Sequence, residues 1–264
     1  MENTPDTKLS EQPHTRLQAL HIAASFNQFE TIYHLTTEDL AQKGGGDRII
    51  TAAARHGHLY DIEHLITPEL LKMDRGEPLY QIVKNGHAEM LPDVISDELL
   101  CLTPYDTENL YHVACRSGTI KTIAKHLTEK GIQAKNSFGD TPLHIAAEHG
   151  TLEHIPETFM QDKYLSIRNS TGESTYHIAA TNGTLNQIPE SLVLANLESR
   201  NALKSSVIFL ASHTTRVDQL LGMRLPPTAK SLVSEEWWNK NLELVKLRDN
   251  LIQDHIEPNE IDIF

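Results

Sequence analysis

In "TPLHIAAEHGTL" (141–152), apolar Leu143, Ala146 and Ala147 fall on one face of a helix, and Gly150 ends it as a left-handed cap. A second apolar start follows at Leu152 and Ile155. The order recurs without gaps in "STYHIAATNGTL" (174–185), "NLYHVACRSGTI" (109–120), "EPLYQIVKNGHA" (77–88) and "RIITAAARHGHL" (48–59). It also recurs in "QALHIAASFNQF" (18–29) and "SVIFLASHTTRV" (206–217). The anchor positions are Asn27, Gly57, Gly86, Gly118, Gly150, Gly183 and Thr215, with a period of about 32 residues.

Each unit predicts a turn followed by two helices. "NSFGD" and "NSTGE" place Gly139 and Gly172 where a turn needs positive φ. Thr141 offers a capping hydroxyl, and Pro142 takes the first helical position that tolerates proline. The alanine pairs at 23–24, 53–54 and 179–180 permit close approach of neighbouring first helices. Leu59 and Ile62, Ile120 and Ile123, and Leu185 and Ile188 match Leu152 and Ile155 as starts of the second helix. Pro92, Pro156 and Pro189 follow their anchors at one fixed spacing, so that helix begins late or bends there. The loops then carry an extra apolar segment, "ITPELLKM" (66–73) or "FMQDKYLSI" (159–167). One such helix pair cannot bury its own apolar face, whereas stacked neighbours can. The predicted fold is an all-α solenoid of about seven helix-turn-helix units.

"TPLHIAA" with its following glycine resembles the ankyrin repeat family, whose period is about 33 residues. The likeness is fullest at 141 and 174 and weakest at 77 and 206. The recurring "IPxxL" is similar to a bacterial type of these repeats. The resemblance implies that His21, His112, His144 and His177 bond the motif threonine and neighbouring backbone, bridging repeats. With Thr141, Gly150 and Gly183 they are then scaffold. It also implies that a partner binds at the turn tips and first-helix ends, which line a concave groove. Carried residue by residue, this selects Tyr105, Asp106, Glu108, Arg116 and Ser117 in one unit. The next two units give Ser137, Phe138, Asp140, Glu148 and His149, then Ser170, Thr171, Glu173, Thr181 and Asn182. Leu203 is the last tip, and Phe26, Arg55, His56, Lys84 and Asn85 lie upstream. Tyr105, Phe138 and Leu203 stand out, because large apolar residues at tips act as interface anchors. Arg55, Lys84 and Arg116 precede Asp140, Glu148 and Glu173, a polarity that would orient an extended or helical ligand.

The array is expected over 14–225, after a flexible segment at 1–13. Beyond it, "SEEWWNKNLELVKLRDNLIQDHIE" (234–257) reads as an amphipathic helix with Trp238, Leu242, Val245, Ile252 and Ile256 on one stripe. Within a linker and capping segment at 226–257, this helix covers the last repeat or docks elsewhere. An acidic and apolar tail follows at 258–264.

The 264 residues carry a net charge of −13, which argues against a nucleic-acid partner. No apolar run is long enough for a membrane span, and "MENTPDTKLSEQPHT" lacks a signal-peptide core, so a cytoplasmic, monomeric protein is expected. Cys101 and Cys115 make neither a disulfide framework nor a zinc site. Cys115 replaces a motif alanine and reads as a buried, inert thiol, and Cys101 also reads as packed. "QKGGGDR" (42–48) lacks a phosphate-loop ending and reads as a flexible turn. No cofactor, metal or catalytic pair is expected. The chain therefore reads as a non-catalytic module that binds a protein partner. The alternative is a secreted bacterial effector, translocated into a host cell to target a host protein through the same surface.

Overall fold

The computed structural model describes residues 13–213 apart from 45, 92 and 106. The N-terminal segment, Pro92, Asp106, Thr215, the helix at 234–257 and the tail lie outside the described residues. The chain forms two compact units, Met1–Ser137 and Phe138–Phe264.

In the first unit the inner helices are α1 (Pro13–Phe26), α3 (Ile49–His56), the later part of α4 (Pro68–Lys84) and α6 (Leu110–Ser117). Each packs on the next. Ala23, Ala24, Ala53, Ala54, Ala114 and Cys115 are buried along these contacts, where small side chains let the helices approach. In the second unit α9 (Pro142–His149), α11 (Thr175–Asn182) and α13 (Val207–His213) stack in the same way. No helix among the described residues is long and apolar enough to cross a membrane.

The repeat alignment predicts a left-handed residue after each inner helix. Asn27, Gly57, Gly86, Gly118, Gly150 and Gly183 all have φ between +54° and +79°. This also fixes the register of the irregular unit at 77. Gly86 has φ +78°, and Ile82 and Val83 are buried where other units carry alanines.

The second helix forms where expected in the unit at 109, as α7 (Ile120–Ile123), but departs from expectation in the two units that follow. Leu152–His154 and Leu185–Gln187 are single 3-10 turns, with Ile155 and Ile188 already extended. Pro156 starts another 3-10 turn at Glu157–Phe159, and Pro189 precedes α12 (Glu190–Asn196). The two apolar segments expected in loops instead form short outer helices, the first part of α4 and α10 (Asp162–Leu165), and α2 (Thr37–Ala41), α5 (Asp97–Leu100) and α8 (Glu129–Gln133) are outer helices of the same kind. Hydroxyls cap four of them. Thr36, Thr67, Ser96 and Thr128 accept from the backbone N–H of Asp39, Leu70, Leu99 and Gly131.

"QKGGGDR" is a hairpin and not a flexible turn. Strands β1 (Lys43–Gly44) and β2 (Asp47–Arg48) pair antiparallel. Lys43 and Arg48 both reach Asp74, at 3.0 and 2.8 Å, and so hold the hairpin to the next tip.

The tips of the second unit are hydrogen-bonded to one another. Ser170 N–H donates to the Phe138 carbonyl at 3.0 Å, and Ala202 N–H to that of Thr171 at 3.3 Å. Gly139 has φ +76°, and a Cβ there would meet the Ser170 nitrogen at 2.8 Å. Gly139→Ala is therefore expected to cost about 2 kcal/mol, through left-handed strain plus the displaced tip. Urea unfolding checks this, and an unchanged midpoint would remove the close approach as a constraint.

Candidate functional site

The motif histidines are tied into the scaffold. His144 Nδ1 accepts from the Thr141 N–H at 3.1 Å and lies 2.8 Å from its hydroxyl. His144 Nε2 faces the Glu173 carbonyl of the next repeat at 3.0 Å. A backbone N–H can only donate and a carbonyl can only accept, so this ring is the neutral Nε2–H tautomer. His177 repeats the first half, with Ser174 in place of threonine. Burial, and then the Arg168 charge, push its pKa below the ordinary value. In the unit at 109, Asn109 caps α6 and its Oδ1 meets His112 Nδ1 at 2.6 Å.

His21 departs from this pattern. α1 starts at Pro13, so His21 sits in mid-helix with no capping hydroxyl before it, and its ring packs against Gly44 of the hairpin. Each motif histidine lies in its own repeat, and among the described residues no histidine, cysteine or acid cluster is placed to hold a metal. Cys115 is fully buried, which pushes its thiol pKa up. Cys101 is half-buried, less packed than expected, and its Sγ lies 3.5 Å from Asp97.

Two further sets of inter-repeat bonds escape sequence reading. Thr119 and Thr184, each directly after an anchor glycine, donate to the Val83 and Ala147 carbonyls of the preceding repeat at 2.6 and 2.9 Å. Asp97 and Asp162, each at the start of an outer helix, accept from the buried phenols Tyr111 and Tyr176 at 2.8 and 3.0 Å. Thr128 adds to the first carboxylate at 2.7 Å, and Ser166 and Asn196 to the second at 2.7 and 2.9 Å. Burial raises the Asp97 pKa, but the bonds from Thr128, Tyr111 and Cys101 outweigh it and hold it low.

The residues that vary between repeats lie elsewhere. In the first unit they wall a depression of about 280 Å³ whose lining includes Tyr80, Tyr105, Lys84, Glu108, Val113 and Arg116. Tyr80 stands at the position that histidine fills in other repeats. Its ring meets Tyr105 edge-on, with centroids 4.7 Å apart, and Lys84 Nζ lies 5.7 Å from the ring centre. Tyr105 is 58% exposed, as a tip residue should be, yet its hydroxyl donates to Glu77. That bond, and then burial, push the phenol up to about 12.

The helix-end arginines are not bare charges. Arg55 pairs with Asp47 at 2.6 Å, and Arg116 pairs with Glu108. Each acid lies at the tip of the same repeat, so tip and helix end largely neutralise one another and the basic half of the expected charge polarity is muted. In the second unit, Phe138 and Leu203 are 70% and 84% exposed at their tips. Asp140 instead accepts from Asn169 at 2.8 Å, and Glu173 accepts from Thr171 at 3.0 Å. These three site candidates therefore also brace the tips. Glu148 and His149 are exposed, 3.8 Å apart.

A family model described as ankyrin repeats (3 copies) matches residues 79–164 and 111–206. Among solved structures, the crystal structure of the ankyrin repeat domain of Bcl-3, a member of the IkappaB protein family, aligns with a TM-score of 0.51 at 19% identity. That alignment covers 83% of this chain and 100% of the other. No curated protein sequence matches.

The Tyr105–Glu77 bond is checked by ultraviolet titration of the phenols. Removing the charged acceptor with Glu77→Gln should lower the Tyr105 pKa towards the ordinary tyrosine value of about 10. An unchanged titration would show that Glu77 does not hold the ring.

Proposed function

This chain belongs to the ankyrin-repeat family through residues 79–206, and we propose from that premise that it is a non-catalytic module binding a protein partner. Ankyrin repeats are generally protein–protein interaction modules. One observation carries the reading for this chain: the surface depression in the first unit forms where the repeat motif fails. Tyr80 replaces the buried histidine, and its ring walls the depression with Tyr105. Departures from internal consistency concentrate at functional sites. Paired tyrosines beside positively charged side chains have the composition of an interface anchor.

In the second unit, Phe138 and Leu203 supply anchors of the same kind. Their exposure contrasts with the complete burial of Leu143, Ala146 and Ala147, which recur as scaffold. Large apolar side chains held out on rigid tips lose little conformational freedom when a partner covers them.

The test is affinity capture from cell lysate with wild type and two alanine variants, Tyr105→Ala and the pair Phe138→Ala/Leu203→Ala. Each anchor lost should cost about 1–2 kcal/mol, so specific partners should fall about tenfold or more in recovery. Circular dichroism should show both variants folded, because these side chains are exposed. Equal recovery by wild type and both variants would place the interface elsewhere.

A further inference from the structure

Thr119 and Thr184 follow their anchor glycines and hold the Val83 and Ala147 carbonyls of the preceding repeat. Each of these acceptors stands three residues before its own anchor. In the second and third repeats the same position is histidine, His58 and His87. His58 keeps the bond. Its Nδ1 lies 2.8 Å from the Ala24 carbonyl, again three residues before the anchor Asn27. A carbonyl only accepts, so Nδ1 carries the proton. His87 takes a different place. Its ring lies over Gly57, where an added Cβ would come within 2.7 Å of Cε1 and 2.9 Å of Nε2. No acceptor among the described residues holds it.

Three imidazoles therefore gather at one turn. The His56 ring stacks on His58 with centroids 5.8 Å apart, and His87 covers the glycine between them. Histidine is the side chain that ordinarily gains its charge between about pH 8 and pH 5. Acid thus sets like charges side by side here. The helix ends contribute Arg55 and Lys84, and α7 contributes Lys121, all of the same sign. The adjoining turns at Phe29–Thr31, Tyr60–Leu65 and His87–Met90 carry Glu30, Asp61, Glu63 and Glu89. None of these acids pairs with the three rings within 4.0 Å. Burial, and then the His58 charge, push the His87 pKa below the ordinary histidine value.

We propose that His58 and His87 form an acid-released joint between the second and third repeats. With both rings neutral, His58 holds Ala24 and His87 lies closed over Gly57. With both charged, His87 leaves Gly57 for solvent, and the turn at His87–Met90 parts from the second repeat. The repeats joined through Thr119 and Thr184 have no titrating group at this position. The released turn follows the helix that carries Tyr80 and Lys84, so acid reaches one wall of the tyrosine-walled depression. The joint itself does not depend on what that depression binds. Folding lowers the His87 pKa, so its contribution to stability is complete above the unfolded value of about 6.5. It is lost as pH falls from there through the folded value.

Two measurements on the full-length chain test the joint. Nitrogen–proton correlation spectra of the imidazoles follow each ring through its titration. His87 should titrate below the unfolded value of about 6.5, and should move up towards it in His58→Thr, which removes the second charge. Amide hydrogen exchange, corrected for the intrinsic effect of pH, reads the opening of residues 87–91. Each unit by which the His87 pKa lies below that of an unfolded histidine should raise this opening in acid about tenfold. Burial also lowers the pKa values of His126 and His177, so acid loosens other repeats as well. His87→Thr isolates the joint. It installs the residue that other repeats carry there, and should abolish the acid-induced opening at 87–91 while leaving the acid response of the later repeats unchanged. A His87 pKa at or above the unfolded value, a pKa unmoved by His58→Thr, or equal acid opening at 87–91 in wild type and His87→Thr would overturn the proposal.

Discussion

One imidazole shows the constraint on which the stack depends. His144 accepts from the start of its own helix and donates to a carbonyl of the next repeat. Each inner helix begins with backbone N–H groups that have no helical acceptor, and each tip carries carbonyls without strand partners. A neutral ring placed three residues into the helix answers both needs at once. It can do so only if adjacent repeats keep a fixed register. The threonine hydroxyls after the anchor glycines, donating to Val83 and Ala147, set that register again at the other end of the inner helices. Apolar burial drives the stacking, and these directional bonds decide how far each repeat slides on its neighbour.

With register fixed at both ends, the side chains left over are held in place without further cost. Phe138 sits on a tip whose backbone is bonded to the next tip, and Tyr105 is tied through Glu77. Where the imidazole is missing, the stack changes character. Tyr80 takes the histidine position, and its ring takes part in the wall of a surface depression. A repeat that departs strongly from the motif thus carries a distinctive surface, because a position freed from the scaffold is free to vary.

Much of this was legible in the sequence because the scaffold repeats itself. The anchor residues, the motif histidines and the buried alanines recur in register along the chain, and Asn27 adopts the same left-handed backbone as the glycines it aligns with. The outer helices at 66–73 and 159–167 are not legible, because proline and short apolar runs have the pattern of loop. Hydroxyl caps of outer helices are present at Thr36, Thr67, Ser96 and Thr128, but each helix is too short to show periodicity. The Asp97–Tyr111 and Asp162–Tyr176 pairs were missed because they join an outer helix to the following inner one across a turn. The charges at Arg55 and Arg116 were over-read because their partners, Asp47 and Glu108, come from the tips and not from the same helical face.

The central claim is that His144 is a neutral structural clamp between repeats, which leaves recognition to the residues that vary. Long-range nitrogen–proton correlation spectra of the imidazoles test it most directly at His144. The account predicts a single neutral form at pH 7, protonated at Nε2 and bare at Nδ1, unaffected by added zinc. An imidazolium, an Nδ1–H tautomer or a zinc-dependent shift at His144 would contradict it.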